Sequence, residues 1–117
     1  MKDSLSNAFA KVMAYQQQRP AIVTAGTQAL NRLVSIAQDH SGQSGVIGRF
    51  LIGLYDGVEH PFDLTALRRL DLDLFEDCVK VLKMDYAPEV EVQDRVPNGS
   101  RFWKELLVRW GYKAVGP

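Results

Sequence analysis

Apolar residues recur along most of this chain at intervals of three and four, the spacing that lines one face of an α-helix. Leu5, Phe9, Val12 and Met13 open the pattern, and predict a helix from about Leu5 to Gln18 with Asp3 or Ser4 as its cap. Pro20 disfavours helical backbone at Arg19 and so predicts a stop there. Proline is tolerated in a first helical turn, so Pro20 also predicts the start of a second helix, reaching about His40. Val23, Leu30, Leu33, Val34 and Ala37 share one side of it, and Ala25-Gly26 makes a small notch for a neighbouring helix. Gly42 suits the left-handed position after a helix, and Ser44 can cap the next one.

Val46, Ile47, Phe50, Leu51, Leu54, Tyr55 and Val58 form the widest stripe, which predicts the central core helix, ended by Asp56-Gly57. Gly48 and Gly53 each cost about 1 kcal/mol of helix propensity against alanine, which points to close packing at those positions. Asp63 caps a short helix, with Phe62 and Leu67 as its hydrophobic staple. Asp71 repeats the device with Leu70 and Phe75, and the helix it starts, to about Met84, presents Leu74, Phe75, Cys78, Val79, Val81 and Leu82 inward. Between Tyr86 and Asn98 the pattern weakens. Pro88 with Glu89 and Glu91 reads as one short helix, while Val90-Glu91-Val92 alternates like a strand. Pro97-Asn98-Gly99 is a turn, and Ser100 caps a last helix carrying Phe102, Trp103, Leu106, Leu107 and Trp110 on one side, stopped by Gly111. The fold class is therefore all-α: one helical domain over 1–117, five to six helices, and an irregular or extended segment near 88–96.

Ala37-Gln38, Ser41-Gly42-Gln43-Ser44, Phe50-Leu51, Phe62-Asp63-Leu64-Thr65 with Leu67, and Leu70-Asp71 in combination carry a resemblance. Over residues 30–96 the chain resembles an uncharacterised family of small bacterial proteins carried on plasmids and integrated conjugative elements. The resemblance leaves both terminal helices outside it. It implies an accessory protein of a mobile element, and no activity, cofactor or catalytic residue.

A chain of 117 residues buries roughly two-thirds of its unfolded surface, enough for a core without staples. Cys78 is the single cysteine, so neither an internal disulfide nor a cysteine-based zinc site is available. With no leader pattern and no run near 18 apolar residues, a cytoplasmic protein is expected, without a membrane partner. Net charge is zero but segregated: +3 over residues 1–55, −7 over 56–94 and +4 over 95–117. The ends and the middle can satisfy each other within the fold, or can steer a partner or a second copy.

Catalysis needs a nucleophile, an acid–base pair or a metal held in fixed geometry, and the inventory is thin. His40 falls in a helix's last turn, where the dipole favours an imidazolium; His60 falls in a loop and reads as solvent-facing. Cys78 lies on an apolar stripe and reads as a buried, inert thiol. Asp71, Asp73, Glu76 and Asp77 lack the histidine spacing of a helical carboxylate–metal site and read as a solvated acidic helix start. No phosphate-binding loop or nucleophile elbow is present. A non-enzyme is expected, with no cofactor and no metal.

Binding remains. The last helix carries Arg101, Lys104 and Arg109, with Lys113 beyond, so a nucleic-acid-binding protein is the alternative reading, although the cations form no single stripe. The favoured reading is a protein-binding module, because tryptophan and arginine together are typical of interface hot spots. The partner-binding set is Arg101, Trp103, Lys104, Arg109 and Trp110, with an unidentified protein or a second copy as partner. An acidic surface between Asp56 and Asp94 could also imitate nucleic acid toward a basic partner.

Overall fold

Four α-helices and two 3₁₀ helices make up the computed structural model, which describes residues 2–111; no strand occurs among the described residues. In chain order they are α1 (Lys2–Ala37), α2 (Gly42–Tyr55), a first 3₁₀ helix (Leu64–Arg69), α3 (Leu72–Asp85), a second 3₁₀ helix (Val92–Arg95) and α4 (Gly99–Trp110). The fold is the all-α bundle expected from the periodicity.

The two helices expected on either side of Pro20 are a single helix of 36 residues with Pro20 inside it. Proline removes the amide that would bond the carbonyl of Gln16, at a cost of about 3 kcal/mol in a helix interior. Gln16 and Pro20 are both exposed, so water can satisfy that carbonyl. On the adjoining side the chain is clamped. The Arg19 guanidinium donates to the carbonyls of Met84 (2.7 Å) and Ala87 (2.8 Å) and pairs with Glu89 (2.7 Å). A cation at the carbonyl end of α3 is favoured by that helix's dipole. Tertiary contact thus overrides the local stop signal. Because α1 starts at Lys2, neither Asp3 nor Ser4 precedes it, and its last residue is Ala37, not His40.

The core lies where the second half of α1 meets α3 and α2. Leu30, Leu33, Ile47, Leu51, Cys78, Val81, Met84 and Trp103 are buried there. The notch at Gly26 serves as expected: a Cβ there would stand 2.6 Å from Met84 Cβ, so α1 and α3 approach closely. Gly48 sits under the Trp110 ring, where a Cβ would stand 2.4 Å from Cδ1.

Several caps differ from expectation. Ser41 caps α2, accepting from the Ser44 amide (3.1 Å), while the Ser44 hydroxyl accepts from the Ser41 amide (3.2 Å). Gly42 is already inside the helix. That helix ends at Tyr55, leaving Val58 almost fully exposed. Asp63 caps as expected, accepting from the Thr65 amide (2.9 Å) and hydroxyl (2.8 Å), though the helix is 3₁₀. Asp71 precedes α3 but makes no capping bond; its carboxylate accepts from Gln43 Nε2 (3.1 Å) while its amide donates to Gln43 Oε1 (2.7 Å). Phe75 and Leu82, expected inside, are exposed, and the buried positions of α3 are Asp77, Cys78, Val81 and Met84. In the 88–96 segment the helix expected to open at Pro88 does not form: residues 88–91 are irregular, and the one helical piece is the 3₁₀ turn Val92–Arg95, with no strand. Asn98, in the left-handed region at φ 57°, precedes α4, so Ser100 lies within the helix instead of capping it.

Candidate protein-docking surface

The molecule is long. Its principal extents are 59 × 32 × 27 Å and its radius of gyration is 16.6 Å, where a compact domain of this length has about 13 Å. The excess comes from the first half of α1. Every residue from Ser4 to Ala14 is exposed, and α3 reaches only as far along α1 as Arg19 and Tyr15. About a dozen residues of helix, or close to 20 Å, therefore project beyond the body as an arm.

The arm is not polar all round. Leu5, Phe9, Val12 and Met13 are 74%, 68%, 53% and 41% exposed. Steps of three and four continue from Leu5, Phe9 and Val12 to Gln16, Arg19, Val23, Gly26 and Leu30. At about 3.6 residues per turn these positions share one face. Farther down, that face is the one buried against α3, where Gly26 meets Met84 and Leu30 is fully covered. The same stripe is core in one half of the helix and uncovered in the other. Sequence periodicity locates the stripe; only the short reach of α3 reveals that none of the described residues of the body covers its first half.

An apolar groove of about 510 Å³ continues the surface onto the body, lined by Tyr15, Gln18, Ile22, Val79, Leu82, Lys83 and Tyr86. Tyr86 is 81% exposed and meets Tyr15 edge to face, ring centroids 6.4 Å apart. The exposed Glu89 holds both Arg19 and Arg95; the Arg19 hydrogen bond pulls its carboxyl down to about 2.

The residues expected on α4 are not brought together on one surface. Trp103 is buried, its Nε1 donating to the carbonyl of Leu51 (2.9 Å), so it belongs to the core and cannot touch a partner. Trp110 is half-buried, with Nε1 donating to Ala37 O (3.2 Å). Arg109 stacks near the Trp110 ring, donates to Gln38 O (2.8 Å) and lies against the His40 ring. Arg101 is exposed and pairs with Glu105, and Lys104 is exposed; Lys113 lies outside the described residues. Thus the tryptophans lock α4 onto α1 and α2, while Arg101 and Lys104 look into solvent.

A second hollow, about 180 Å³, lies among α2, the first 3₁₀ helix and α4, where Arg49, His60, Phe62, Arg69 and Trp110 are among its lining. His60 is half-buried, not solvent-facing, and its Nδ1 is buried without a partner among the described residues. Among the described residues the lining carries no hydroxyl, thiol or amine side chain, and the carboxylate among them, Asp63, is engaged by Thr65. Burial pushes the Cys78 thiol up to about 12, and Asp77 is held by Arg32 at 2.8 and 2.9 Å.

These features define a small all-α protein with a projecting amphipathic arm. The chain belongs to the DUF7673 family, a family of unknown function, whose model matches residues 27–111. No curated protein and no solved structure matches it. The matched region takes in α4, which the resemblance read from the sequence had left outside. It begins at residue 27, so the arm precedes it. No helix among the described residues is long and apolar enough to cross a membrane.

Proposed function

We propose that this protein is a non-enzymatic protein-binding module whose docking surface is the apolar face of the α1 arm. One observation carries the reading: Leu5, Phe9 and Val12 are exposed on the face that α3 buries lower down the same helix. Contiguous exposed apolar surface on a monomer beyond a few hundred Å² marks an interaction site. The occupant is an amphipathic helix, because the face is helical, about four turns long, and open at the end of a helix it would continue. Burial of the Cys78 thiol, and the engagement of Asp71 by Gln43 and of Asp77 by Arg32, support a binding role. The motifs around Ser41–Ser44 and Phe62–Leu67 support the finer setting, a bacterial mobile-element accessory protein.

Affinity capture with the full chain, read by mass spectrometry, tests this, using Leu5→Asp/Phe9→Asp as the comparison. A protein enriched by the wild type, lost with the variant, and bound again by the purified wild type in a calorimeter supports the reading. Retention of the same proteins by the variant overturns it.

A further inference from the structure

We infer that the arm's occupant is a second copy of this chain, its arm running antiparallel across Phe9; the inference rests on the docking reading above and names its partner. The arm is self-complementary. Leu5 and Met13 stand four residues either side of Phe9, so reversing the direction sets Leu5 against the partner copy's Met13 and Phe9 against its counterpart. Charge does not oppose this pairing, because from Ser4 to Gln18 the only charged residue is Lys11, which the reversed register places across from Asn7.

Direction is set by the body. In each copy α3 lies on the face that would meet the partner, ending near Tyr15 and Arg19. Side by side in parallel, two copies would bring both α3 helices into the same space. Antiparallel, the arms overlap over the roughly 20 Å left free between one α3 end and the other. Each arm's first turns then approach the groove at Tyr15, Leu82 and Tyr86 of the other copy. Closing the four arm side chains with Leu82 and Tyr86 removes on the order of 700 Å² per copy, near the ~800 Å² per partner of a standard interface. Opposed helix dipoles favour the same arrangement, and the contact is isologous and closes at two.

Sedimentation of the full chain across micromolar concentrations should show a dimer, with Phe9→Asp monomeric and unchanged in the cooperativity of its melt. For direction, Leu5→Cys and Met13→Cys are made separately in a Cys78→Ser background and treated with a short bismaleimide. The mixture should cross-link, and Leu5→Cys alone should not, its two sites being about 12 Å apart along the axis. Leu5→Cys cross-linking to itself as readily as in the mixture overturns the antiparallel arrangement. A wild-type monomer at every concentration overturns the dimer. The broader docking reading then survives if the captured protein still binds wild type and not Leu5→Asp/Phe9→Asp, and falls with it otherwise.

Discussion

Arg32 holds Asp77 with two parallel hydrogen bonds, Nε to Oδ2 at 2.9 Å and Nη2 to Oδ1 at 2.8 Å, across the seam between α1 and α3. The guanidinium is half exposed and the carboxylate nearly buried, with Lys80 at 3.8 Å as its other cation. Removing the guanidinium strands a buried carboxylate; removing the carboxylate frees a cation that water can reach. Arg32→Ala should therefore cost about 1–3 kcal/mol in urea unfolding, and Asp77→Asn less. Equal costs would mean that burial of Asp77 is immaterial.

The Glu89 carboxyl titrates at about 2 when folded, against 4.5 when free, chiefly because Arg19 donates to it and next because of a backbone hydrogen bond. A depressed carboxyl contributes stability that is fully present above the free value and is lost as pH falls through the folded one. Wild type should exceed Glu89→Gln in stability at pH 7, with the difference shrinking below about pH 4.5 and mostly lost by about pH 2. Asp63, lowered by its bonds from Thr65, acts in the same direction; Asp85, raised by burial, acts in the opposite one. Thermal melts of both proteins between pH 2 and 7 measure it.

Two glycines of α2 should respond oppositely to alanine. A Cβ at Gly48 would stand 2.4 Å from Trp110 Cδ1, so the indole must leave its slot and the bond to Ala37. Gly48→Ala should cost about 1–3 kcal/mol and shift tryptophan emission to the red. Nothing lies within 4 Å of a Cβ at Gly42, so alanine there should be neutral or stabilising by up to about 1 kcal/mol.

Pro20 interrupts the hydrogen-bond ladder at the root of the arm. Pro20→Ala restores the bond to the Gln16 carbonyl and should slow amide exchange across residues 4–20 by up to the roughly 3 kcal/mol that separates proline from alanine in a helix. An unchanged arm would show that its helicity is set elsewhere.

Signals that act within a few residues were legible in the sequence. Asp63 with Thr65, the small notch at Gly26 and the Phe102–Trp103–Leu106 stripe do what their spacing implies. Pro20 misleads because its local penalty is opposed by Arg19 gripping carbonyls more than sixty residues away. The frame of α3 shifts because Asp77 turns inward to Arg32, a pairing across 45 residues that no local pattern encodes. Trp103 leaves the α4 set for a related reason: a tryptophan that finds a carbonyl, as Trp103 finds Leu51, is as content inside as at an interface. For the arm, periodicity names the apolar face, whereas its exposure follows from where a different helix stops.

Amide hydrogen exchange across the full chain, dilute and then with the occupant present (concentrated protein or the captured partner), puts the docking claim most directly to the test. Exchange should slow over residues 4–18 and 79–86, leaving Arg101 and Lys104 on α4 unaffected. An arm that exchanges at the same rate in both conditions, with protection arising on α4 instead, would contradict it.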